Sequence, residues 1–168
     1  TMVANLSSHK PGWDDRWDEF AKWAERGMEI QEELLHLVDE DTEAFNRIMA
    51  AFGMPKKTDE EKALRSEAIQ QATLFATEVP LETMKASSRV FELCRQMVAE
   101  GNPNSVSDAG VGALAARAAV LGAGMNVKIN AASLKDRAKA DALIAEADKL
   151  IEKANAEEKE ITAAVDNG

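Results

Sequence analysis

Leu37-Val38-Asp39-Glu40-Asp41-Thr42-Glu43-Ala44-Phe45 (LVDEDTEAF) packs four carboxylates into nine positions of a stretch with helical spacing. Leu34, Val38, Asp41, Phe45, Ile48 and Phe52 follow one another in steps of four and three, the repeat of one face of an α-helix. That stripe predicts the buried side of a long helix, with Asp41 at its centre where a leucine is expected. At about 100° per residue, Asp39, Glu40 and Glu43 point away from it and read as solvated acids. A carboxylate among Leu, Val, Phe and Ile loses hydration and favours its protonated form, which is how a fold makes a general acid or base. The same position also suits an aspartate paired with a cation or facing a subunit interface.

Working outward, the helix is expected from about Trp13 to Phe52, with Trp17, Phe20 and Trp23 preceding the stripe and Gly53 to Lys57 forming a loop. Thr58-x-x-Glu61 is a capping box that starts a second long helix. Its apolar face is Leu64, Ala68, Ala72, Phe75 and Val79. Pro80 is expected to end or kink it, because proline lacks the amide donor for the preceding turn. Helix resumes through Val90, Leu93 and Met97 to a cap at Gly101. After the Asn102–Ser105 loop, with Ser105 or Ser107 as cap, a helix from Asp108 to about Asn130 is built largely from Ala and Gly. Each glycine costs about 1 kcal/mol of helix propensity relative to alanine, so a close neighbour or ligand is expected against that backbone. A last amphipathic helix spans about Ser133 to Val165, with Leu134, Ala138, Ala142, Ala145, Leu150 and Ile161 inward. No stretch alternates as a strand does. We read an all-α multihelical bundle of long antiparallel helices, with residues 1–168 as one domain.

Composition narrows the function. The 168 residues carry 20 Lys plus Arg against 30 Asp plus Glu, a net charge of −10. A general nucleic-acid binder needs a basic face to neutralise phosphate, so this balance argues against one. Ala118 to Val127, the longest apolar run, falls short of the roughly 20 residues of a spanning helix, and no membrane association is expected. Two histidines, one cysteine, no CxxC and no HExxH make a metal site unexpected. No cofactor is expected, since GxGxxG and P-loop patterns are missing. Cys94 cannot form an internal disulfide and reads as a buried thiol in a cytoplasmic protein. The seven methionines read as core filler, and His9 and His36 as surface or packing residues. Asn126 and Asn130 share a helix face, where two amides can read the edges of a heterocycle or cap backbone groups. Asp108 stands in a first helical turn, favoured by the dipole.

Five segments in order, TMVANLSSHK, LVDEDTEAFNRIMAAFGMPKKTDEEKALRSEAIQQA, ATEVPLETM, GNPNSVSDAGVGA and GMNVKIN, resemble the cyclodeaminase/cyclohydrolase family of folate enzymes. The resemblance implies an intertwined homodimer that binds a tetrahydrofolate derivative between helices, as substrate rather than cofactor. It implies formation of 5,10-methenyltetrahydrofolate and ammonia from 5-formiminotetrahydrofolate as the expected reaction, as in histidine degradation, with hydrolysis of the methenyl ring as the alternative. A catalytically silent helical protein that binds folates or partners is the rival of another class. Within the family the catalytic aspartate lies in a Val-Asp-x-Asp segment, which places it at Asp41. Lys10 and Lys56 match lysines suited to the anionic, polyglutamylated tail, and Asp108, Asn126 and Asn130 match polar positions of the substrate site. A formiminotransferase is a further implied partner. Two departures stand out. The family's Pro-Gly-Gly-Gly stretch and most of its first helix, which precede TMVANL, are not in the sequence, and Pro-Gly-Trp-Asp-Asp-Arg-Trp replaces a lysine-rich stretch.

Overall fold

A computed structural model of the chain describes residues 1–167. Five α-helices follow in order: α1 (Met2–Ser8), α2 (Trp17–Gly53), α3 (Asp59–Glu100), α4 (Val106–Ala131) and α5 (Arg137–Asp166). Short 3-10 turns at Asp14–Arg16 and Pro103–Ser105 lead into α2 and α4. No strand occurs among the described residues. The all-α reading stands. α2 begins four residues later than expected, because Pro11-Gly12 turns the chain with Gly12 at φ 85° and the 3-10 turn follows.

The capping box forms as expected: Thr58 Oγ1 accepts from the Glu61 amide at 3.1 Å, and the Glu61 carboxylate accepts from the Thr58 amide at 3.1 Å. Gly101 caps the far end of α3, its N–H donating to the Met97 carbonyl. Pro80, however, neither ends nor divides α3, which runs 42 residues without a break.

Helix directions can be read from surface ion pairs. Arg16–Glu100, Arg26–Glu92 and Glu33–Arg89 join α2 or its leading turn to α3, with one number rising as the other falls, the mark of an antiparallel pair. Lys128–Asp148 and Arg117–Glu158 show the same for α4 and α5. Lys139–Glu78, Lys85–Glu146 and Arg95–Glu157 rise together, so α5 runs parallel to α3. Exposed pairs of this kind contribute little stability, at most about 1 kcal/mol each. The main core lies between α3, α4 and α5, around Met84, Phe91, Val120, Val127, Leu143 and Ile161. Two smaller clusters hold α1 and α2 in place, one around Val3 and Phe20 and the other around Leu37, Ala44 and Val79.

Two buried faces, and the use of the methionines, differ from the expected ones. α2 turns Ile30, Leu37, Ala44 and Ala51 inward, a seven-residue repeat, while Val38 and Phe45 are each 62% exposed. The stripe containing Asp41 is therefore split: Leu34 and Ile48 pack against the Leu37 cluster, whereas Val38, Asp41, Phe45 and Phe52 are exposed on the single chain. On α5 the inward residues are Ala140, Leu143, Ala147, Ala154 and Ile161, whereas Ala138, Ala142 and Ala145 are exposed. Of the methionines, Met84 and Met97 are buried but Met2, Met28, Met49 and Met125 are exposed, so only part of the set fills core. Pro103–Ala131 also has the length and hydropathy of a membrane span, although its longest apolar run is short. It packs between α3 and α5, burying Ala113, Ala116, Val120 and Val127.

Candidate functional site

α2 and α4 both pack on α3 and hardly touch each other, which leaves a trough floored by α3. One section of it is a groove of about 380 Å3, with Asp41 and Thr42 on the α2 wall, Pro80 and Thr83 on the floor, and Ala123 and Asn126 on the α4 wall. The sequence places these side chains together for simple reasons. Asp41 and Leu37 lie one turn apart, so the buried Leu37 anchors the turn from which Asp41 projects. Ala119 and Ala123 are small, which keeps the opposite wall low. The Asp41 carboxylate makes no hydrogen bond or ion pair among the described residues, and both Asp41 and Asn126 are exposed. The desolvation expected for Asp41 is thus not met within one chain. An aspartate without a partner, an asparagine and two threonines facing an open, half-apolar groove can accept and donate hydrogen bonds to a heterocycle and exchange a proton with it.

The remaining candidates lie elsewhere. Leu34 separates this groove from a neighbouring pocket of about 290 Å3 lined by Asp108, Gln31, Cys94 and Gly112. Burial pushes the Cys94 thiol up to about 11. Lys10 sits in the α1–α2 turn with its ammonium 3.9 Å from the centre of the Trp13 ring. Lys56, in the α2–α3 loop, lines a third groove of about 410 Å3 together with Lys62, Arg65 and Lys135. No sequence signal drew attention to the last three, because they come from two elements 70 residues apart. Asn130 lies one turn beyond Asn126, and its Nδ2 donates to the Ala76 carbonyl at 2.7 Å. The backbone-capping alternative, open from the sequence, is the one its amide takes. Of the six residues, the fold brings Asp41 and Asn126 together, sets Asn130 beside them, and leaves Asp108, Lys10 and Lys56 apart.

The chain belongs to the formiminotransferase-cyclodeaminase family, whose model matches residues 1–149. It is 37% identical over 156 residues to the methenyltetrahydrofolate cyclohydrolase of Methylorubrum extorquens, covering 93% of this chain and 75% of that protein. It is 36% identical over 108 residues to the formimidoyltransferase-cyclodeaminase of Gallus gallus, of which the match spans a fifth, 20%. The fold is that of the formiminotetrahydrofolate cyclodeaminase of Thermotoga maritima, with a TM-score of 0.83 and 23% identity over 99% of this chain and 79% of that one.

Proposed function

We propose that the chain is a methenyltetrahydrofolate cyclohydrolase, adding water to the one-carbon bridge of 5,10-methenyltetrahydrofolate at the Asp41 groove. The observation that carries this reading is the 37% identity to a protein of that name across 93% of the chain, a length that includes all three walls of the groove. Water adds to the bridging carbon, one carbon–nitrogen bond breaks, and the released nitrogen takes a proton. Asp41 has the chemistry to take the proton from water and return it to the nitrogen. Asn126 can donate and accept hydrogen bonds to the ring, and Thr83, whose hydroxyl donates to the Val79 carbonyl, can accept one. Formation of methenyltetrahydrofolate and ammonia from the 5-formimino compound is the second reading. It is supported by the family description and by the position of Asp41 in its Val-Asp-x-Asp segment. There N10 attacks the formimino carbon, and the departing amine takes a proton from the same carboxyl.

The anionic tail is assigned to the Lys56 groove, where Lys62, Arg65 and Lys135 add positive charge on an otherwise acidic chain. Lys10 is left out of this reading because it does not line that groove. A second copy of the chain is assigned to the outer faces of α2 and α4, which expose Val38, Phe45, Leu114, Met125 and Ile129. Such a partner restores the desolvation of Asp41 that the single chain lacks.

The test is to mix purified protein with each folate and follow the near-ultraviolet absorbance of the methenyl species. Accelerated decay of added methenyltetrahydrofolate is the expected result. Its formation from the formimino compound, with ammonia release, selects the second reading. Binding without either change leaves a non-catalytic folate-binding protein.

A further inference from the structure

Pro80 stands inside α3 without an amide hydrogen, so the Ala76 carbonyl one turn earlier has no helical donor. Ala76 is 6% exposed, which denies that carbonyl an easy replacement from water. A buried acceptor left unpaired is costly, so its actual partner is informative. Neighbouring hydroxyls do not serve it. Thr73 Oγ1 donates to the Ile69 carbonyl and Thr77 Oγ1 to the Thr73 carbonyl, each at 2.7 Å. The donor comes from another helix: Asn130 Nδ2 on α4, at 2.7 Å.

This bond joins two parts of the candidate site. Pro80 and Thr83 form the floor of the Asp41 groove, and Asn126, one turn from Asn130, forms its α4 wall. We propose that Asn130 is a positioning residue rather than a substrate ligand. Its bond to Ala76 exists because Pro80 removes the helical donor, and it fixes the register between α3 and α4 that sets Thr83 and Asn126 opposite Asp41. The functional half of this inference rests on the folate chemistry proposed above; the Asn130–Pro80 link does not. The pairing also explains how α3 stays continuous through an internal proline: the missing donor is supplied from outside the helix.

The experiment compares Asn130→Ala, Asn130→Asp, Pro80→Ala and the Pro80→Ala/Asn130→Ala double variant. Asn130→Asp keeps the side chain's size but turns a carboxylate oxygen towards the carbonyl. Pro80→Ala returns an N–H at position 80 that can satisfy Ala76 within the helix. Two readouts are taken: turnover per folded molecule on both folates, and amide hydrogen exchange of the segment around Ala76 to Met84, which needs no substrate. Both single Asn130 variants should lower kcat tenfold or more with a smaller change in KM, and speed exchange in that segment tenfold or more. In the Pro80→Ala background the Asn130→Ala effect on both readouts should shrink to less than threefold. An equal penalty in both backgrounds overturns the link to Pro80. Wild-type kinetics in Asn130→Asp overturn the need for a donor. Faster exchange with unchanged turnover per folded molecule reduces the bond to a structural one and ends the positioning role. A wild-type chain that turns over neither folate removes the folate reading, while the exchange coupling still decides the Asn130–Pro80 link.

Discussion

At the level of single residues, Asp41 combines exposure with the lack of a cation partner among the described residues, and the two together separate chemistry from stability. Replacing it with asparagine strands no buried charge and opens no cavity. Asp41→Asn should hold or raise the thermal midpoint, the rise appearing where a second copy desolvates the carboxylate, while lowering turnover by about two to four orders of magnitude, the usual span for a proton-transfer group. Both are to be measured on the same preparation; a mutant that keeps wild-type turnover removes Asp41 from the mechanism. Cys94 gives a pH-dependent counterpart. Its thiol is pushed up to about 11 by burial, so the folded chain resists forming the thiolate that the unfolded chain forms more readily. The associated stability is fully present below the unfolded pKa and is lost as pH rises through the folded one. Urea midpoints should therefore fall between about pH 9 and pH 11 in the wild type and fall less in Cys94→Ser, with slow labelling of Cys94 by a thiol reagent at neutral pH.

At the level of elements, Gly124 lets α4 pack closely against both α5 and α3. A Cβ added at Gly124 would sit 2.9 Å from Ile151 Cδ1 and 3.2 Å from Met84 Cε. Gly124→Val should cost about 1–3 kcal/mol by overpacking, read as a lower urea midpoint with an unchanged slope. Gly110 and Gly112 have similarly close neighbours in Val165 and Cys94, whereas Gly122 faces open space, so the glycine-rich pattern announced crowding at three of its four positions. Much local chemistry was legible: the capping box at Thr58, the stop at Gly101 and the loop before α3 all follow from residues within a turn of one another, whereas the effect of Pro80 was not, because its missing donor is replaced from another helix. The inward faces of α2 and α5 were not. Periodicity favours the largest apolar residues, yet α2 buries Leu37, Ala44 and Ala51 and leaves Phe45 and Phe52 outside. On α5, alanines occupy every face, and hydropathy alone cannot choose between Ala138 and Ala140. The bond from Asn130 to Ala76 spans 54 residues, and its one local hint is the proline itself.

For the whole molecule, the misplaced stripe has its own meaning. Val111, Leu114, Met125 and Ile129 lie on the outward side of α4, and Val38, Phe45, Met49 and Phe52 on that of α2. Apolar surface in such continuous stripes marks an interaction site rather than ordinary solvent exposure. Light scattering at micromolar concentration should give twice the chain mass, and Ile129→Lys should shift it towards the monomer while retaining helical circular dichroism. A monomeric wild-type chain would remove the second copy from the proposal. Asp41 was legible as an exception on its face, but its neighbours across the groove were not, because they arrive from α3 and α4 by tertiary packing. The attachment of α2 has a dynamic consequence. α3 holds α4 and α5 in one large core, whereas α2 is secured by α3 and the short α1 through smaller clusters. Cooperative units with fewer buried contacts open at lower free energy. In native-state hydrogen exchange, α2 should therefore open as a separate unit before the other long helices and be slowed most when folate binds. The helix that carries the aspartate is then the hinged wall of the groove, and the three-helix core is its fixed frame.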